Sequence, residues 1–152
     1  MNRRHFFLSS ALFILPSAIV GLGHAQVNPL PPMTTITFPA GQNTSTVTGE
    51  APPGGRNAYY VQAKAGQTLM VSVGEAAAGI TFQVFKADAT LARGADGQPV
   101  VTGGTLPDAG PKDQVRAWIG AVPHDGNYLI LVTMSGAAGG QPGGYSLTVS
   151  LL

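Results

Sequence analysis

The chain has 152 residues, with 21 glycines, 12 prolines, no cysteine and only 10% charged residues, eight Lys+Arg against seven Asp+Glu. These figures exclude a disulfide framework, a thiolate nucleophile, a cysteine metal centre and a lipid-anchoring cysteine. They also exclude the strongly basic field that nucleic acid or an anionic membrane surface demands of a partner.

Met1-Asn2-Arg3-Arg4-His5 opens the chain and an apolar run over 6–22 follows, interrupted by Ser9, Ser10, Pro16 and Ser17. Gly23-His24-Ala25 then places small residues at the two positions a signal peptidase reads. The pattern is that of a secretory signal peptide over 1–25, and it predicts a periplasmic or secreted protein. Pro16 breaks the run and no basic stop-transfer cluster follows, so no membrane span is expected after cleavage. Export by the general secretory route is expected, although Arg3-Arg4 ahead of Phe6-Phe7-Leu8 also resembles a twin-arginine signal. Loss of Arg3 and Arg4 with the leader tips the remaining chain slightly acidic. What remains is long enough for one domain and too short for two.

Residues 26–33 hold Pro29, Pro31 and Pro32 and read as an extended lead-in. From residue 34 to the end, no apolar pattern runs at a helical period for long enough to make a helix. Short strands and turns recur instead. Segment 34–38 puts Ile36 and Phe38 on one face, and 44–50 is a polar, Thr-rich strand suited to a sheet edge. A Pro-Pro-Gly-Gly loop over 51–56 leads to 57–64, with Tyr59, Val61 and Ala63 together. After a tight turn at 65–67, segment 68–74 points Leu69, Val71 and Val73 inward, and 80–86 does the same with Ile80, Phe82 and Val84. A long segment, 87–113, has room for one short strand at 100–102. Strands over 115–119 and 127–135 flank Pro123-His124-Asp125-Gly126, where Pro fixes φ and Gly supplies φ > 0; they are predicted to form a hairpin. The second of them is apolar on both faces, which places it inside a sheet. A Gly-rich loop over 135–144 precedes the closing strand, 145–152, whose Tyr145, Leu147, Val149 and Leu151 alternate with Ser146, Thr148 and Ser150. About eight such strands at short spacing predict an all-β fold, an antiparallel β-sandwich over 34–152.

The residues of catalysis are scarce. His124 is the one histidine beyond the leader, and its neighbour Asp125 is placed to cap the turn rather than to sit behind an imidazole. Glu50 and Glu75 lie near strand ends, and nothing in the chain brings them together across a substrate. Asp88, Asp96, Asp108 and Asp113 lack the spacing of a calcium loop. The Gly-rich segments join strands and do not open helices, so no phosphate cradle is expected. No cluster suggests zinc. The expectation is a protein without catalytic activity, cofactor or metal.

Phe38-Pro39-Ala40-Gly41, Tyr59, Ala65-Gly66-Gln67-Thr68-Leu69, Phe82-Gln83-Val84-Phe85, Trp118-x-Gly120, Pro123-x-Asp125-Gly126-x-Tyr128 and Tyr145-Ser146-Leu147-Thr148-Val149 occur in that order. The series resembles bacterial pre-peptidase C-terminal-like domains and, within them, the periplasmic inhibitors of g-type lysozyme. The resemblance runs from about Thr34 to Leu152. It implies a jelly-roll-like sandwich, export, and inhibition by loops inserted into an acidic lysozyme cleft, with arginines on the loop between the last two strands. The matching loop here, 135–144, has no Arg, Lys or aromatic residue, so nothing in it can pair with a carboxylate. Trp118, Gly120, Pro123, Asp125, Gly126 and Tyr128 carry the signature, and each has an ordinary use in a turn or a core.

The reading that results is an exported binding domain, lysozyme-inhibitor-like, acting by loop insertion or occlusion on a lysozyme or another extracellular protein. Arg56 on the Pro-Pro-Gly-Gly loop, and Arg93 and Lys112 in the long segment, are the candidate contact residues. Two alternatives stand beside it. One is a module for envelope glycan or another extracellular polymer, with Tyr60 and Trp118 as stacking faces if they are exposed. The other is a structural envelope protein. The segment 87–113 is itself a candidate contact region, because a long stretch with little regular structure is often functional.

Overall fold

The computed structural model describes residues 29–136 and 140–152. The leader lies outside them. The strands are β1 (Met33–Ile36), β2 (Thr44–Ala51), β3 (Arg56–Ala63), β4 (Thr68–Gly74), β5 (Ile80–Val84), β6 (Thr90–Arg93), β7 (Pro99–Thr102), β8 (Ala117–Ala121), β9 (Gly126–Met134) and β10 (Gly143–Leu151). Two four-stranded sheets, in the orders β1-β3-β9-β5 and β2-β10-β4-β8, pack as a sandwich, and β6 and β7 form a separate two-stranded ribbon. All pairings between these strands are antiparallel except β1 with β3.

The alternation read from the sequence is what builds the interior. Tyr59 and Val61 of β3, Phe82 of β5 and Ile130 and Val132 of β9 meet Leu69 and Val71 of β4 and Leu147 and Val149 of β10 in one core. Each of these residues is two positions from the next inward one, the period that places side chains on one face of a strand. β2 lies at the sheet edge expected of its Thr-rich pattern.

Three features differ from expectation. The segments 115–119 and 127–135 do not pair with one another: β8 pairs with β4, Trp118 opposite Val71, whereas β9 lies between β3 and β5, Tyr128 opposite Val61 and Val132 opposite Phe82. The turn between them crosses from one sheet to the other. A hairpin would stand β9 beside a single partner; insertion between two strands gives its backbone ladders on both sides, and its two faces are buried separately, one in the main core and one in an outer cluster. Second, the long segment contains β6, where the sequence pattern predicts no strand, and β7 begins one residue before the expected strand. Third, the strand at 80–86 ends at Val84, and Phe85 leaves the ladder to form an isolated bridge with Thr105.

The long segment has burial to perform on both sides of the first sheet. Ala89 is buried with Ala58, Phe85, Leu129 and Leu131 in a second, outer cluster, on which Leu91 and Val101 of the β6–β7 ribbon pack. Leu106 and Ala109 enter the main core. Backbone bonds from Val84 N to Ala109 O (3.1 Å) and Phe82 N to Val115 O (2.9 Å) then lay residues 109–115 along the free edge of β5.

Candidate functional site

At one end of the sandwich the loop 52–55, Gln98 and Pro99 of the ribbon and the lead-in at 29–32 surround a cleft of about 630 Å³. Local rules explain its shape. Gly54 adopts φ 71°, and Gly55 N donates to Pro52 O at 2.7 Å; a Cβ on Gly55 would lie 2.6 Å from the Pro52 ring. This tight turn is tied to the end of β9 by Gly54 N to Met134 O (3.0 Å) and Met134 N to Gly55 O (3.1 Å). The lead-in is held against β3 by Ala58 N to Pro32 O (3.0 Å). Proline-rich walls of this kind are stiff before any partner arrives.

Arg56, exposed and opposite Thr133 at the start of β3, lines the cleft with Glu50, Gln98 and Pro99. Arg93 is exposed on β6, where its Nη1 donates to Gly97 O at 2.6 Å and braces the ribbon turn. Lys112 is exposed on the stretch beside β5 and is not among the residues lining the cleft. The structure thus brings Arg56 to the cleft and Arg93 to the ribbon that forms its far wall, and it separates Lys112 from both. Asn57, Glu50 and the lead-in prolines were not legible as site residues. Their only signal was an extended Pro-rich segment whose docking position depends on a distant strand.

Beneath the cleft runs a polar chain. Asn57 Nδ2 donates to Glu50 O (2.8 Å) and to Tyr145 Oη (2.6 Å), and the Tyr145 and Tyr59 hydroxyls are 2.7 Å apart. The two rings meet edge to face, centroids 6.4 Å apart at 89°. Burial, and then the hydrogen bond to Tyr145, push the Tyr59 hydroxyl well above the ordinary tyrosine range, so it stays protonated. Gly49 makes the meeting possible: a Cβ there would stand 2.6 and 2.7 Å from the two hydroxyl oxygens.

The signature residues lie in β8, in the turn that follows it and at the start of β9. Trp118 is buried and its Nε1 donates to Pro107 O at 2.9 Å; a side chain at Gly120 would strike its ring, which accounts for the Trp-x-Gly spacing. Pro123 is exposed beside the buried Val122, whose N–H donates to Gln67 O at 2.8 Å. Asp125 does not cap its own turn. Its Oδ1 accepts from Ala65 N at 2.8 Å and so pins the neighbouring loop. Gly126, at φ 155°, leaves no room for a Cβ against Ala87. The Tyr128 hydroxyl donates to His124 O (2.7 Å) and accepts from His124 N (3.2 Å), closing the turn. Trp118 therefore offers no exposed stacking face, and Tyr60 is half-buried against the outer cluster. Among the described residues, no group of three or more His, Asp or Glu is placed to hold a metal ion.

The loop between β9 and β10 leaves from this same end, since Gly143 pairs with Ala51 and Met134 is bonded to the 52–55 loop. Its residues 137–139 lie outside the described ones.

No family model and no curated protein sequence matches this chain. Solved structures do. PliG from Aeromonas hydrophila, a periplasmic lysozyme inhibitor of g-type lysozyme, aligns with 26% identity and a TM-score of 0.60 over 81% of this chain and 98% of that one. PliG from Salmonella Typhimurium aligns with 19% identity and a TM-score of 0.54, covering 80% and 98%. A mutant of Escherichia coli PliG aligns with 16% identity and a TM-score of 0.54, covering 80% and 99%. The resemblance read from the ordered motifs and the fold of these inhibitors agree, and at the lower identities it is the fold alone that they share.

Proposed function

We propose that this chain is an exported, non-catalytic protein, with a signal peptide over 1–25, a lead-in over 26–33 and a binding domain over 34–152, that occludes the cleft of a g-type lysozyme or another extracellular enzyme. The observation that carries the reading is the alignment with Aeromonas hydrophila PliG, which spans nearly all of that inhibitor. Arg56 is the residue suited to the contact. It opens β3 at the same end as the β9–β10 loop, it is exposed, and a guanidinium makes charge-assisted, bidentate bonds to carboxylates of the kind that line a glycan-cleaving site. Gly54 and Gly55 hold it on a stiff turn, which lowers the ordering cost of binding.

A panel of g-, c- and i-type lysozymes assayed against the purified protein tests this reading. Inhibition of the g-type enzyme is expected, weakened at least about tenfold by Arg56→Glu, the loss of one charge-assisted contact. Lys112→Glu, away from the cleft, is expected to change nothing. Absence of inhibition of every enzyme in the panel at micromolar protein rejects the inhibitor reading.

A further inference from the structure

We propose that the free edge of β2 is a self-association surface, on which a second copy of this chain adds its own β2 in antiparallel register. β2 ends its sheet, bonded on one side to β10 over an unbroken register from Thr44 opposite Ser150 to Ala51 opposite Gly143. Two bonds show which way its backbone groups point. Leu151 N donates to Asn43 O at 2.8 Å, toward β10, whereas Glu50 O accepts from Asn57 Nδ2 at 2.8 Å, on the side away from it. Backbone groups alternate along an antiparallel strand. The N–H and C=O of Thr44, Thr46 and Thr48 therefore face outward.

Soluble sheets blunt such edges with Lys, Pro, bulges or very short strands. β2 has eight residues, no Lys, Arg or Pro, no break in register, and a single charge at Glu50. The other end of this sheet is only the five residues of β8. Val47 points inward with Ser45 and Gly49, yet it is only half-buried; on the outward side the Asn57 side chain occupies the Glu50 carbonyl and leaves the groups of Thr44, Thr46 and Thr48 as the open stretch of the edge.

The strand is complementary to itself. A two-fold axis through Val47 sets Thr46 against Thr48 of the second copy and Thr44 against its Glu50, so the two carboxylates do not face one another. Each Thr46–Thr48 pair then exchanges two backbone bonds. The side chains of those pairs extend the hydroxyl ladder already present at Thr44–Ser150 (2.8 Å) and Thr46–Thr148 (2.9 Å). The exposed part of Val47 is covered by the Val47 of the other copy, in a close non-hydrogen-bonded pair. One strand pair buries less than the roughly 1,200 Å² of a stable complex, so the dimer is expected to be weak and concentration-dependent.

The chain has no cysteine, so Val47→Cys introduces a lone thiol on the proposed axis. Mild oxidation of V47C, purified after expression of the full chain, is expected to yield about tenfold more disulfide-linked dimer than I119C, whose thiol sits exposed on β8. Adding Thr46→Lys, an exposed edge substitution that leaves the core untouched, is expected to abolish that difference. Wild-type protein is expected to sediment faster as its concentration rises through the high-micromolar range, and T46K is not. The proposal is overturned if wild type stays monomeric throughout, if V47C cross-links no more than I119C, or if T46K associates like wild type. It is equally overturned if the chain stays monomeric but takes up a synthetic peptide of the β2 sequence, since the edge would then serve foreign strands.

Discussion

Replacing Gly49 with Ala tests whether the paired tyrosines are held by space rather than by hydrogen bonding alone. The new Cβ would lie 2.6 Å from Tyr145 Oη, 2.7 Å from Tyr59 Oη and 2.8 Å from Tyr145 Cζ, distances that real Cβ atoms essentially never show. Something must move, and the stiff rings are anchored in the main core. Overpacking of this kind costs about 1–3 kcal/mol. Against it stands the gain of about 0.4–1 kcal/mol that Ala brings by restricting the unfolded chain. Gly144 is the internal control: it lies in β10 opposite Glu50, its φ is not in the left-handed range, and a Cβ there meets nothing within 4 Å. G144A should thus be neutral or slightly stabilising, whereas G49A should be destabilised by about 1–2 kcal/mol net. At about 4 °C per kcal/mol for a domain of this size, the two variants should melt roughly 4–12 °C apart. Thermal and urea unfolding followed by circular dichroism gives both numbers. Equal stability of G49A and G144A would refute the reasoning, because the space above the hydroxyls would then be of no consequence.

The raised Tyr59 pKa predicts alkaline sensitivity. The unfolded chain ionises this group near about pH 10 while the folded chain keeps it protonated, so its stabilising contribution is complete below that pH and falls as pH rises above it. Denaturation in urea between pH 8 and 11 should show a shallower decline for Tyr59→Phe than for wild type. Asp125→Ala should cost about 1 kcal/mol and raise amide exchange at Ala65, whose N–H loses its acceptor; unchanged exchange there would contradict the assigned bond. Tyr128→Phe leaves the His124 carbonyl without its hydroxyl donor and should cost about 1–3 kcal/mol by urea unfolding. Replacing both Leu91 and Val101 with Asp should loosen the β6–β7 ribbon, expose Leu129 and Leu131, and produce binding of an apolar dye that wild type lacks.

Strand positions were legible because each strand's core face is written at a period of two. Segment 68–74 was placed to the residue, and its Leu69, Val71 and Val73 point inward as the alternation requires. Pairing was not legible, because it is decided elsewhere in the chain. Pro123-His124-Asp125-Gly126 carries the same turn chemistry whether it returns a strand beside its neighbour or sends it into the opposite sheet. Only the presence of β4 to receive Trp118, and of β3 and β5 to enclose Ile130 and Val132, makes it the second. Asp125 was read as a local cap for the same reason: its partner, Ala65, is remote in sequence. At the site, Arg56 stood out as a lone cation on a stiff loop, but the cleft beside it is assembled from the lead-in, β2 and the ribbon turn.

The segment 87–113 is long, charged and poor in expected strands, the pattern of a functional loop. Its structure relocates that emphasis. β9 is apolar on both faces, so a sandwich with only two sheets would leave Leu129 and Leu131 wet. The ribbon covers them with Leu91 and Val101, and the chain then turns back to place Leu106 and Ala109 in the main core before β8 begins. Those two tasks account for most of its length. What they leave over is the turn at 94–98, which does not cover either cluster yet is closely built: Gly94 N to Gln98 O at 2.7 Å, Gln98 N to Asp96 Oδ1 at 3.0 Å, and Arg93 Nη1 to Gly97 O at 2.6 Å. Gln98, at the end of this braced turn, lines the Arg56 cleft. Shortening the turn to a two-residue Asn-Gly hairpin, which suits antiparallel strands of this kind, should preserve the melting temperature because Leu91 and Val101 stay in place. The same variant should lose partner binding together with Arg56→Glu if the cleft is the contact surface. Retained binding in the shortened variant would confine the contact to the Pro-Pro-Gly-Gly loop and the β9–β10 loop.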